Sequence, residues 1–246
     1  MKSAKITKIE FYRIETYKVI KMRIILASKN QDKIREIEQI LSDLPPKPLP
    51  HITSTQSLNT SIQKFEILNF TQLTQPFEIC ENGKSFQENA LIKSKAIFSH
   101  LKSQNLLEKN DIILSDDSGI CVDELGGKPG IYSARYSGGD DRDNLNKLLS
   151  EVSLLKNKSS KAHFCASIGL STPFGDFSTH GFLYGRVIDT PRGQNGFGYD
   201  PMFIPNGFTQ TLAELDTQTK NTLSHRKIAL ENAKYILKML FNALKI

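Results

Sequence analysis

The chain has 246 residues, 39% of them apolar and 24% charged, with a formal net charge of +6. That length suits one large α/β domain or two small ones, and the composition is ordinary for a globular protein. No apolar run is long enough to span a bilayer, so a membrane partner is not expected. Cys80, Cys121 and Cys165 are widely spaced and form no CxxC pair. This argues against a disulfide framework or a cysteine zinc site and for reduced thiols in a cytoplasmic protein. The positive charge is diffuse. By itself it fits an anionic small molecule as well as nucleic acid, and the absence of a tight basic cluster or nucleic-acid motif argues against the second.

Residues 1–22 are basic and lack a signal-peptide core, so they read as an extension outside the fold, leaving residues 23–246 as one domain. From Arg23 to Ala27 a short apolar run predicts a buried strand. Ser28-Lys29-Asn30 breaks it, and Ile34, Ile37 and Leu41 then mark one face of a helix. A strand, a tight turn and a helix start together form a general anion site, to which Lys33 adds a full charge. Taken alone, the segment is better read as a simple N-cap by Ser28 or Asn30 with Lys33 a solvated lysine. Residues 44–75 are rich in Pro, Ser, Thr, Gln and Asn and read as an irregular excursion with room for a hairpin. Phe77–Cys80 is expected to be a short strand. Ser85 opens a second helix with Leu91, Ser94, Phe98 and Leu101 on one face. Its spacing to Glu88 is that of a capping box, which would occupy the Glu88 carboxylate. Glu88 is also placed to share a divalent cation with acids that follow.

Those acids lie in the central stretch. Ile112, Ile113 and Leu114 run into Ser115-Asp116-Asp117-Ser118 and then into Gly119, Gly126, Gly127 and Gly130. A buried strand that delivers carboxylates and then flexible backbone is how an α/β protein presents a reactive edge. In a regular strand Asp116 and Asp117 point to opposite faces, so both reach one site only if the backbone twists at Ser118-Gly119. Leu145, Leu148, Leu149, Val152 and Leu155 predict a third helix. Ala162–Leu170 and Phe177–Ile188 predict two strands joined by an antiparallel turn. Between Gly193 and Pro201, Phe197, Gly198, Tyr199 and Asp200 form either a turn that packs its aromatics or a base-stacking wall. Lys220, Ser224, His225 and Arg226 precede a last helix, capped by Ser224, with Ala229, Ala233, Ile236, Leu240 and Leu244 on one face. Strands alternating with helices, followed by antiparallel strands, predict an α/β fold with a long mixed sheet flanked by helices.

Five of these stretches occur in an order that resembles the inosine triphosphate pyrophosphatase family, the XTP/dITP diphosphatases. They are Ile25–Lys33, Ser85–Ala90, Leu114–Gly138, Asn195–Pro201 and the Lys220-Asn221 to Arg226 segment. The chain departs at Lys29, which sits where the family usually has glycine or no residue.

The resemblance implies two lobes with a substrate cleft, a homodimer, and hydrolysis of ITP, dITP or XTP to the monophosphate and pyrophosphate. It further implies Mg²⁺ held by Glu88 and Asp117, with Asp117 as the base and Asp116 as an orienting residue or second-metal ligand. Ser28, Asn30, Lys33 and Ser118 would contact the phosphates. Phe197, with Gly198 and Tyr199 beside it, would stack on the purine. Asp200, His225 and Arg226 would read its edge, with Lys220 on phosphate or base. A donor aimed at the 6-oxo group accepts hypoxanthine and xanthine but meets a second donor in adenine. A similar-fold enzyme for modified pyrimidine nucleotides and a basic nucleic-acid-binding module are the rival readings.

Overall fold

Ile24, Ile25 and Leu26 are fully buried, so their strand needs neighbours on both edges and cover on both faces. The computed structural model, which describes residues 20–42 and 63–243, supplies all of these. Strand β1 (Ile20–Leu26) leads into helix α1 (Gln31–Leu41), and strand β2 (Gln63–Asn69) returns parallel beside β1. Helix α2 (Phe86–Ser103) follows, then strand β3 (Ile112–Val122), parallel to β1 on its other edge. A short β4 (Lys128–Pro129) pairs with β3, and helix α3 (Asp141–Ser153) precedes the long hairpin of β5 (Ser159–Thr172) and β6 (Gly175–Ile188). Strand β7 (Phe203–Pro205) pairs with β6, and helices α4 (Thr217–Leu223) and α5 (His225–Ala243) close the chain. The order β2-β1-β3-β5-β6-β7, with β4 beside β3, makes a mixed sheet flanked by helices, as expected from the alternation of patterns. No helix among the described residues is long and apolar enough to cross a membrane.

Three apolar clusters hold these layers. Ile24, Leu26, Ile112, Leu114 and Ile168 pack on one sheet face against Ile34 and Ile37 of α1 and Ala229, Ala233 and Leu237 of α5. On the other face Ile25 and Ile113 pack against Ile97 and Leu101 of α2. Farther along β3, Ile120 and Val122 join Leu148 and Val152 of α3, Met202 and Phe203 in a third cluster. Separate cores at the two ends of β3 are compatible with the two lobes expected. Helix α5 comes very close to the sheet at Gly181, where any Cβ would lie 2.0 Å from the His225 carbonyl oxygen. That contact fixes the start of α5 against β6. Thr179 adds a hydrogen bond from Oγ1 to the Ala229 carbonyl at 2.7 Å.

Several sequence-based boundaries move. Strand β1 begins at Ile20, not Arg23, because β2 lies alongside and pairs with residues 20–22. Met22, placed in the extension, is in fact buried in the core. Within the excursion drawn at 44–75, residues 63–69 form a parallel edge strand rather than a hairpin, and residues 70–72 form a 3₁₀ turn. The remaining residues 43–62, like 1–19, lie outside the described residues. Phe77–Cys80 is coil. Its position is set by side chains instead of a ladder, with the Phe77 ring against His100 at 4.2 Å and edge-on to Phe70 at 6.5 Å. Strand β3 does not end at Ser115 but runs on through both aspartates to Val122. Leu244 lies outside the described residues.

Candidate active site

The site is built where β3 passes between α1, α2 and α5. Its pairing with β5 stays in register, with Asp116 opposite Ile168 and Asp117 opposite Ser167. The twist that would turn both carboxylates to one side is therefore absent, and the two face opposite ways. Gly119 is required for another reason. A Cβ there would lie 2.3 Å from Ser133 Oγ, which accepts a hydrogen bond from Ile120 N and anchors the 3₁₀ segment Gly130–Arg135.

Asp116 is buried and fully partnered. Its Oδ1 accepts from Arg226 Nε at 3.2 Å, and its Oδ2 faces Lys33 Nζ at 2.7 Å and accepts from Ser118 Oγ at 3.2 Å. Arg226 also donates to Glu36 and to Ser118 Oγ, while Ser224 Oγ donates to Glu36 at 2.5 Å. Burial pushes the Asp116 carboxyl up, but Arg226 and Lys33 outweigh it and hold the group well below the usual carboxylate range. With both oxygens taken, Asp116 orients the cations around it. The expected alternative, a second-metal ligand, would require Asp116 to give up one of these partners.

Asp117 is the opposite case. Burial raises its carboxyl to about 6, with Asp116 and Glu81 adding to the rise and Lys93 and Lys33 opposing it. Its Oδ2 is buried with no hydrogen-bond partner. An unpaired buried oxygen on a carboxylate whose pKa is raised is a mark of a functional position. Lys93 Nζ donates to the Asp116 carbonyl at 3.1 Å and pairs with Glu81 at 3.1 Å, which places Glu81 on the wall beside Asp117. Glu88 is turned elsewhere: its Oε2 accepts from Lys84 N at 2.6 Å, while Ser85 Oγ accepts from Glu88 N. The capping reading of Glu88 thus holds in modified form, reaching one residue farther back. Among the described residues no group of three or more His, Cys, Asp or Glu side chains is placed to hold a metal by itself. Asp117 with Glu81 offers two hard oxygen donors, the number Mg²⁺ takes from a protein when phosphates and water supply the rest.

Two cavities adjoin at Asn30, Lys33 and Ala134, which lie in the walls of both. The larger, about 490 Å³, is lined by Ser28, Lys29, Glu81, Lys93 and Asp116. Asn30 caps α1 by accepting from Asp32 N and Lys33 N, and Ser28 Oγ accepts from Asn30 N at 3.2 Å. Among the described residues only Asn105 and Lys158 are non-glycine residues at positive φ, so Lys29 fits the turn without the strain that would call for glycine.

The smaller cavity, about 120 Å³, is lined by Ser118, Phe197–Asp200, Lys220, His225 and Arg226. Phe197 stands at its rim, 37% exposed, with Lys220 Nζ 5.0 Å from its ring centre. Asp200 is buried and accepts from Phe197 N at 2.9 Å and from Lys220 Nζ at 2.5 Å. Gly198 turns this loop at φ +59°. Tyr199 is buried and its hydroxyl donates to the Ser133 carbonyl at 2.7 Å, which makes it a support beneath the pocket. The His225 ring stacks on Phe164 at 5.0 Å. Burial, with Arg226 next to it, depresses the imidazole well below its usual range, so it is neutral at pH 7.

Of the expected residues, Ser28, Asn30, Lys33, Asp116, Ser118, Phe197, Gly198, Asp200, Lys220, His225 and Arg226 line the two adjoining cavities, Tyr199 supports them from below, and Asp117 and Glu88 lie outside their walls. Sequence reading missed Glu36, Glu81, Lys93 and Phe164. Glu36 had a usable signal, since it lies three positions after Lys33 on the same helix face. Glu81 had none, because it sits in coil.

A cation-walled cavity joined to an aromatic pocket at the carboxylate-bearing strand of an α/β sheet defines a protein built to hold an organic polyanion. The chain belongs to the Ham1 family, whose model matches residues 24–236. It is 50% identical over 220 residues to a dITP/XTP pyrophosphatase of Campylobacter jejuni subsp. doylei, covering 89% of this chain and 98% of that protein. It is 46% identical to one from Nautilia profundicola over 223 residues, with 90% and 100% covered. The solved Staphylococcus aureus Ham1 protein superposes with a TM-score of 0.70 at 32% identity, covering 88% of this chain and 98% of that one. A Coxiella burnetii HAM1 protein gives 0.69, also at 32% identity, with 89% and 99% covered.

Asp116→Asn leaves Lys33 and Arg226 without their shared counter-ion, and is expected to cost about 3–5 kcal/mol of folding stability at pH 7. Because the folded pKa lies below the unfolded one, this contribution is present above about pH 4 and fades as pH falls further. Denaturant unfolding of both proteins at pH 7 and pH 3 checks this, with the gap narrowing at the lower pH.

Proposed function

We infer that the chain is a nucleoside triphosphate diphosphatase that hydrolyses non-standard purine nucleotides (ITP, dITP and XTP) to the monophosphate and pyrophosphate. The observation that carries this reading is Asp117, a buried carboxylate with an unpartnered oxygen beside Lys93 and Glu81, both of which line the larger cavity. The phosphate chain lies in the larger cavity against Lys33, Ser28 and the N-terminus of α1, with Ser118 and Arg226 reaching it from the wall of the smaller cavity. The base enters the smaller cavity beside Phe197. Neutral His225 and the Arg226 region present donors to a 6-oxo group, and buried Asp200 faces the base edge through its loop. Asp117 and Glu81 would hold Mg²⁺, which supplies charge neutralisation at the phosphates and an acidified water. Asp117 takes the proton of the water that attacks between the α and β phosphates. A carboxyl held near 6 is ionised at neutral pH yet basic enough for that task. Lys33 and Arg226, fixed by Asp116, need little reorganisation as charge develops on the phosphates.

The active form is a homodimer. Support comes from the open face of the β5–β6 hairpin, where Phe182 and Tyr184 are 40% and 57% exposed. His180, Phe182 and Tyr184 follow at alternate positions on β6 and stack in sequence at 6.4 and 6.0 Å, with His163 5.5 Å from Tyr184. A contiguous exposed aromatic row suits a self-complementary interface.

In a panel of nucleotides with and without Mg²⁺, pyrophosphate release is expected from ITP, dITP and XTP far ahead of ATP, GTP and dTTP. Equal rates on dTTP would refute the purine assignment. Asp117→Asn is expected to lower kcat by at least about 10²-fold while ITP binding persists. Glu81→Gln is expected to raise the Mg²⁺ concentration needed for half activity, and Glu88→Gln to lower the unfolding midpoint instead. The reverse pattern, in activation curves and thermal melts, would return the metal to Glu88. Light scattering is expected to give twice the chain mass of 27.7 kDa, and Tyr184→Lys a monomer.

A further inference from the structure

The cations lining the cleft are almost all spoken for. Lys33 and Arg226 are paired with Asp116, Arg226 also with Glu36, Lys93 with Glu81, and Lys220 with Asp200. Lys29 differs. It lines the larger cavity, and among the described residues its ammonium has no carboxylate partner. Among the described residues, Nζ donates to the Phe77 carbonyl at 3.3 Å, in an exposed position. Phe77 lines the same cavity, so the side chain runs from the β1–α1 turn toward the opposite coil wall. A neutral carbonyl is a weak partner for an ammonium, and exchanging it for a phosphate oxygen gives a charge-assisted hydrogen bond. The turn tolerates lysine, as its backbone shows, and four methylenes give the head group freedom to swing.

We propose that Lys29 is an added grip on the distal phosphates: its ammonium leaves the Phe77 carbonyl to bind the β and γ phosphates of the substrate and the departing pyrophosphate. This rests on the reading of the larger cavity as the triphosphate site. The α phosphate and the base lie toward the seam and the smaller cavity, out of its service. Lys29 is therefore a positioning residue that acts on affinity for the leaving group. The same contact that tightens substrate binding also retains product pyrophosphate.

The test compares Lys29→Met, Lys29→Arg and Lys109→Met with the unaltered protein; Lys109 is an exposed lysine whose loss lowers net charge equally. With ITP, Lys29→Met is expected to raise KM about tenfold and leave kcat within about twofold. Pyrophosphate should inhibit it about tenfold less well. Inhibition by IMP, which lacks the distal phosphates, stays unchanged. Lys29→Arg restores most of the affinity, and Lys109→Met behaves as the parent. Unchanged KM and unchanged pyrophosphate inhibition in Lys29→Met would overturn the proposal. So would an equal loss of IMP inhibition, which signals a disturbed fold, or an equal effect in Lys109→Met, which signals net charge alone. Calorimetric binding of inorganic tripolyphosphate to the same four proteins does not depend on the purine reading. If ITP is not a substrate but Lys29→Met still weakens tripolyphosphate binding, the functional reading fails and this one stands.

Discussion

One buried carboxylate organises the cleft. Asp116 lies under the surface between a lysine from the first helix and an arginine from the last; Lys33 lines both cavities and Arg226 the smaller one. Removing charges from water is costly, and the arrangement is sustained because every member has a partner. The carboxylate binds Lys33, Arg226 and Ser118, and Arg226 also reaches Glu36, which in turn holds Ser224. The result is a set of positive charges that cannot wander. A phosphate chain arriving there meets donors already aimed, with little side-chain entropy left to lose.

Strand geometry divides the labour between two adjacent residues. Regular pairing through β5 turns Asp116 toward the cations and Asp117 toward Glu81 and Lys93. One acid is held ionised as a structural counter-charge. The other is pushed toward neutrality and left with a free oxygen. Their opposite shifts come from what each face of the sheet meets, since the two residues are chemically identical.

Much of this was legible in the sequence. Periods of 3.6 and 2 marked the helices and the β5–β6 hairpin, and the Asp-Asp-Ser-Gly stretch marked the reactive strand, because local pattern and burial agree there. What escaped depended on long-range partners. Strand β2 is an edge strand that mixes polar with apolar residues, and only its parallel pairing to β1 reveals it. Phe77–Cys80 has strand-like composition, yet ring contacts with Phe70 and His100 fix it as coil. Glu88 and Glu81 are both acids near the start of α2. Which one faces Asp117 is decided by a cap to Lys84 and by the ion pair to Lys93, neither visible in spacing.

The bond between Arg226 and Glu36 joins residues 190 positions apart, and the one between Arg226 and Asp116 spans 110. Glu36 of the first helix and Asp116 of the central strand thus receive their guanidinium partner only when the last helix has been made. At ordinary synthesis rates that delay is about 10–40 s. During that interval the nascent chain holds Glu36 and Asp116 without the guanidinium that completes their network. The enzyme's cleft is assembled from both ends of the polypeptide, so a truncated or stalled product that has the first strands and helices in place still lacks a finished catalytic centre.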